Sequence, residues 1–154
     1  MAKIKTGIIG TGFIGPAHVE ALRRLGMVEV AALAEAGQEL ADEKAAMLSI
    51  DKAYGDYRDL LADPDIQVIH NCTPNFLHFE ISKAALEAGK HVVSEKPLAM
   101  NSRESGALVQ LAQEKGLVNA IDFNYRYYAL VQEARQMVRN GKVGDRIYAV
   151  HGSY

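Results

Sequence analysis

Apolar residues along this chain fall into short continuous runs, separated by longer stretches in which they recur at helical spacing. Lys3 to Ile9 is a short apolar run ending at a glycine turn, and Val19, Leu22 and Leu25 then recur every three residues until Gly26. This predicts strand, turn, helix. Val28 to Leu33 reads as a second strand, "GQELADEKAAML" as a polar helix, and "VIHN", after "ADPDIQ", as a further strand. A helix through "FEISKAALEAG", a strand at "HVVS", a helix after "NSRES" with Ser102 as N-cap, and a strand at "LVNAID" continue the alternation. A last helix is predicted over about Ala129 to Arg139, and "RIYAVHGSY" begins an alternating strand at the chain's end. Strands alternating with helices predict an α/β fold, a doubly wound parallel sheet covered on both faces.

Composition narrows the partners. The 154 residues fit one domain on the prior of roughly 150 residues each, and 49% hydrophobic content can fill its core. With 17 basic and 19 acidic residues the net charge is -2, and no basic run tracks a phosphate backbone, so nucleic acid is not an expected partner. Cys72 is the only cysteine, which rules out an intramolecular disulfide. The N-terminal "MAKIKTGIIG" has too short an apolar stretch for a signal peptide or a membrane span, and the expected compartment is cytoplasmic.

The first candidate chemistry lies in "GIIGTGFIG". Among 13 glycines in 154 residues, a G-x-G-x-x-G arises by chance in about a tenth of such chains, so context decides. Here the triplet Gly10, Gly12, Gly15 follows a predicted strand, opens a helix, and is followed by Glu35 at the end of the second strand, 20 residues past Gly15. Gly10 permits the tight turn, Gly12 lets backbone approach a pyrophosphate, Gly15 lets helix pack on strand, and the helix N-terminus faces the anion. The segment Gly10, Gly12, Phe13, Ile14 and Gly15 is therefore expected to bind a dinucleotide, in a Rossmann fold. Glu35 would accept hydrogen bonds from the ribose hydroxyls and repel a 2'-phosphate, and neighbouring Ala36 and Gly37 offer no cation, so NAD is expected over NADP.

Three polar loops, "CTPNFLH", "SEKPLA" and "FNYRYY", follow successive predicted strands, where ligands bind in open parallel sheets. The loops carry Thr73, Pro74, Asn75 and His78, then Glu95, Lys96 and Pro97, then Asn124, Tyr125 and Arg126, and the run Gly89, Lys90, His91 and Val92 lies between the first two. In order and spacing these resemble the nucleotide domain of the glucose-fructose oxidoreductase, inositol dehydrogenase and rhizopine catabolism family. The resemblance implies oxidation or reduction of a sugar, polyol or related hydroxyl compound with a nicotinamide cofactor. It places Cys72, Thr73, Pro74, Asn75, His78, Glu95, Lys96 and Arg126 beside that cofactor, and Lys96 and Tyr125 toward the substrate. It also implies residues 1–123 as the NAD-binding domain, and 124–154 as the linking helix and first strand of a substrate domain that is truncated here. A homo-oligomer is expected.

Lys96 is the expected catalytic residue. An alcohol giving up a hydride must also lose its proton, and a cation at the reacting oxygen stabilises the negative charge that develops, with the amine acting as donor or as base. The resemblance further suggests a cis bond before Pro97. His70, Cys72 and His78 raise a metal site that lacks a fourth ligand, so no metal is expected. Cys72 reads as a small buried residue, and His18, His91 and His151 as ordinary helix, strand-edge and terminal histidines. Tyr125, Tyr127 and Tyr128 form either a substrate wall or an aromatic hinge for the last helix. Two alternative functions remain open: an NAD-dependent glycosidase of the same fold, and a noncatalytic NAD-binding module.

Overall fold

The computed structural model describes residues 3–152, and it divides after Asp122 into two compact units. The first is a six-stranded, wholly parallel sheet in the order β3-β2-β1-β4-β5-β6. Its strands are β1 (Ile4–Ile9), β2 (Val28–Ala34), β3 (Lys52–Tyr54), β4 (Val68–Asn71), β5 (His91–Ser94) and β6 (Asn119–Ile121). Between them run α1 (Gly15–Arg24), α2 (Gln38–Leu48), α3 (Tyr57–Ala62), α4 (His78–Glu87) and α5 (Ser102–Lys115). The strand order reverses between β1 and β4. That switch point opens the crevice above the carboxyl ends of the strands in which such sheets bind ligands.

Side-chain alternation along the strands sorts the core into two layers. Ile8 and Leu33 turn to one face, where they pack with Val19 and Leu22 of α1 and Ala41 and Ala45 of α2. Ile9, Ala32, Ala34 and Ile69 turn to the other, against Leu60 of α3, Ile81, Ala85 and Leu86 of α4, and Leu108 of α5. The central strands are apolar on both faces, which is why their sequences read as continuous runs.

Three sequence expectations need correction. β3 and α3 are absent from the pattern reading: three half-buried residues and a six-residue helix are too short to show a period. The cap of α5 is Asn101, whose side chain accepts the N–H of Glu104 at 3.0 Å, instead of Ser102, which is the first helical residue. The acid three residues past Asn101 is the signal that distinguishes the two. Leu25 also lies outside the core, at 57% exposure, because α1 ends at Arg24.

In the second unit, a 3-10 turn (Asn124–Tyr127) leads into α6 (Ala129–Arg139), which has the predicted bounds. The expected strand from Arg146 does not form: residues 147–152 have no regular structure, and Ser153 and Tyr154 lie outside the described residues. A strand needs a neighbour for its backbone groups. Among the described residues, no helix is long and apolar enough to cross a membrane.

Candidate functional site

The glycine loop begins where β1 ends. Gly10 takes a positive φ of 85°, and a Cβ there would lie 3.0 Å from the backbone of Cys72. At Gly15 a Cβ would lie 2.4 Å from the Gly10 carbonyl oxygen. Gly12 differs, with no protein atom within 4 Å of its Cβ position. The fold itself therefore requires Gly10 and Gly15, whereas at Gly12 a side chain would enter open space. α1 starts with a proline in its first turn, no side-chain cap and no acidic residue there; the Ala17 N–H turns back to the Ile14 carbonyl at 3.0 Å, so the N–H groups left for an anion are those of the loop leading into Gly15. Phe13 is fully exposed and Ile14 half-buried.

Glu35 sits immediately past β2 and turns toward this loop. Its Oε1 accepts the Thr11 N–H at 2.5 Å and the Thr11 hydroxyl at 2.6 Å, which orients the carboxylate. A cleft of about 340 Å³ opens beside it, walled by Gly10, Glu35 and Ala36 on one side and Thr73, Pro74 and Leu77 on another. The third wall is Asp56, Tyr57 and Arg58, from the start of α3. Arg58 is a cation of the cleft wall that the sequence pattern did not bring to the site, because α3 itself was missed. Its guanidinium lies 4.6 Å from the Tyr57 ring centre and pairs with Asp56 at 3.2 Å and Glu80 at 3.5 Å.

The loop after β4 is organised by Asn71, which is fully buried. Its Nδ2 donates to the His78 carbonyl at 3.2 Å and the Ser82 hydroxyl at 3.0 Å, while its Oδ1 accepts the Thr73 hydroxyl at 2.7 Å. His78 is also fully buried, with Nε2 at 2.8 Å from the Thr73 carbonyl and Nδ1 at 2.5 Å from the Pro97 carbonyl. It ties the two site loops together and offers neither ring nitrogen to the cleft. Pro74 and Asn75 are exposed and Thr73 half-buried. Lys90, within the matched run at Gly89 to Val92, is buried and donates to the carbonyls of Asp63 and Ile66 at 2.8 and 2.7 Å, which anchors a turn.

After β5, Glu95 is buried and Lys96 exposed, and the Lys96–Pro97 bond is cis. Beneath them His18, His70, Glu95 and Asp122 gather, an assembly that the sequence did not reveal: His18 is no ordinary surface histidine, being 7% exposed and 3.2 Å from Glu95. The sequence placed His18 on a helix, but not its burial or its partners, which are distant along the chain. Burial, with His18 beside it, lowers His70 to about 4. Burial and the charges of Glu95 and Asp122 push the Cys72 thiol far up, so it is no nucleophile. In the second unit Arg126 and Tyr125 are exposed, and the Tyr125 and Tyr128 rings lie 5.0 Å apart.

The sequence aligns over its whole length with the levoglucosan dehydrogenase of Pseudarthrobacter phenanthrenivorans, at 39% identity over 162 residues, covering 41% of that protein. An NAD-binding oxidoreductase structure from Klebsiella pneumoniae superposes with a TM-score of 0.88 at 37% identity, covering 94% of this chain and 40% of that one. A levoglucosan dehydrogenase complex with NADH and levoglucosan gives a TM-score of 0.87 at 37% identity, over 92% of this chain and 40% of that one. The chain thus spans about two fifths of the length of these relatives. Residues 4–123 match the family described as "Oxidoreductase family, NAD-binding Rossmann fold" (GFO_IDH_MocA), and with the glycine loop, Glu35 and the Glu95-Lys96-Pro97 turn in place, the chain belongs to that family.

Proposed function

We propose that this chain is the nucleotide-binding part of an NAD-dependent oxidoreductase that acts on a sugar, polyol or related hydroxyl compound. The observation that carries the proposal is one continuous strand-end edge. On it lie the Gly10–Gly15 turn, the cleft beside Glu35, and an exposed Lys96 in a turn braced by His78 and Glu95. The fit to a dinucleotide rests on the cradle at Gly10, the open space at Gly12 and the uncapped start of α1. Gly12, Phe13 and Ile14 would hold the pyrophosphate by backbone N–H groups, and Glu35 would accept the ribose hydroxyls. Thr73, Pro74 and Asn75 would shape the adjoining wall, with Cys72 and His78 supporting them from beneath.

The nicotinamide, when bound, supplies the hydride acceptor or donor. The protein's task is the proton. Lys96 would place its amine at the reacting oxygen, to stabilise charge there or to take and return the hydroxyl proton. The relative solved with NADH and levoglucosan supports a sugar-like substrate. Self-association belongs to the same reading, supported by exposed apolar side chains such as Leu130 at 84% and Val150 at 87%.

The test is steady-state kinetics on the protein expressed at the length of its relatives, with a panel of polyols and aldoses. Lys96→Met should lower kcat by about 100-fold or more while the affinity for NADH changes little. Near-normal turnover in the mutant would remove Lys96 from the chemistry. Release of an aglycone without net NADH formation would point to glycoside cleavage instead.

A further inference from the structure

His18 on α1, His70 on β4, Glu95 beyond β5 and Asp122 beyond β6 form a buried polar cluster that the proton chemistry at Lys96 does not itself use. His18, His70 and Glu95 are only 7%, 9% and 7% exposed, and the Asp122 side chain is 31% exposed. His18 Nδ1 lies 2.9 Å from His70 Nδ1. His18 Nε2 lies 3.2 Å from Glu95 Oε1 and 3.5 Å from Asp122 Oδ2. The other oxygen of Glu95, Oε2, accepts the backbone N–H of Lys96 at 3.0 Å. Glu95 is thus gripped at one oxygen by an imidazole and grips the lysine's own backbone with the other.

The direction of these bonds follows from their donors and acceptors. An ionised carboxylate only accepts, so the proton between His18 and the carboxylates sits on His18 Nε2 whether that ring is neutral or charged. The 2.9 Å contact between the two Nδ1 atoms carries one proton: a neutral His18 accepts it from His70, and a charged His18 donates it. His70 is held neutral at ordinary pH, lowered to about 4 by burial and by His18, so it has a single ring proton, and its Nδ1 serves as donor or acceptor to match His18.

We propose that His18 is a positioning residue for Lys96: its Nε2–H holds Glu95, Glu95 holds the Lys96 amide, and His70 backs the imidazole from Nδ1. The proposal rests on the reading that Lys96 performs the chemistry. The rival occupant is a divalent cation, since ligand atoms of His18, Glu95 and Asp122 all lie within 4.8 Å of one another. A cation would need Nε2 bare, so the two differ by one proton.

Nitrogen-15 NMR of the cofactor-free chain decides between them. The expected result is a protonated His18 Nε2 and a Lys96 amide shifted downfield and slow to exchange. His18→Gln keeps a donor at the ε position and should preserve the Lys96 amide. His18→Asn has polar atoms only at the δ position and should speed its exchange about tenfold. At the length of the relatives, kcat should fall in His18→Asn and recover in His18→Gln, with KM for the cofactor unchanged. A bare His18 Nε2, a Lys96 amide indifferent to His18→Asn, or tight binding of Zn²⁺ or Mn²⁺ would overturn the proposal. The wild-type spectrum suffices if a variant fails to fold. Because the NMR is read without cofactor, a catalytically silent Lys96→Met would sink the functional reading while leaving the His18–Glu95–Lys96 geometry measured.

Discussion

Two buried titratable side chains give the molecule an acid-sensitive stability with two separate legs. His70 takes a proton at about 6.5 when unfolded but only near 4 when folded, because burial, and then His18, penalise its charged form. Its contribution is complete above about pH 6.5 and is lost as pH falls toward 4. Asp63 is lowered from 3.8 to about 2, first by the hydrogen bond from Lys52 at 2.7 Å, with the Asp65 N–H and the Tyr54 hydroxyl adding to it. Its contribution is present above about pH 3.8 and is lost toward 2. Thermal melts at decreasing pH should therefore show His70→Asn flattening the first leg and Asp63→Asn the second. A first leg unchanged in His70→Asn would show that His70 is not held neutral. Neither residue stood out as titratable in the sequence, because burial and partners set a shift and only the fold supplies them. Glu35 stood out by its spacing from the glycines, yet its grip by Thr11 did not.

At the scale of elements, the alternation of strand and helix was legible because β1, β2 and β4 are largely buried on both faces, β5 buries one face and half-buries the other, and α1, α4 and α5 each turn one apolar stripe inward. β3 and α3 were illegible for the opposite reason, and with them went Tyr57 and Arg58 of the cleft wall. The glycine loop gives a prediction in which two similar substitutions behave differently. Gly15→Ala drives a Cβ to within 2.4 Å of a carbonyl oxygen, so the backbone must shift, and stability should fall by on the order of 1–3 kcal/mol. Gly12→Ala meets no protein atom and should melt like the parent. It should nevertheless weaken NADH binding about tenfold or more, since the added methyl lies where a pyrophosphate approaches the backbone. Calorimetry on both variants checks this, and undiminished NADH binding in Gly12→Ala would contradict the role given to that glycine.

For the whole molecule, a parallel sheet that reverses order between β1 and β4 offers a dinucleotide its place at that reversal. The second unit was legible as a helix, since "ALVQEARQMVR" is strongly amphipathic, but the strand after it was not realised, because pattern alone cannot supply a pairing partner. The proposed preference for NAD rests on charge: a 2'-phosphate would meet the Glu35 carboxylate, while Arg58, in the same cleft wall, pairs with Asp56 and Glu80. The most direct measurement is a calorimetric titration of this chain with NADH and with NADPH, repeated on Glu35→Ser with Ala36→Arg. NADH should bind more tightly to the parent, and the double substitution should narrow the gap. Equal or tighter binding of NADPH by the parent would contradict this preference.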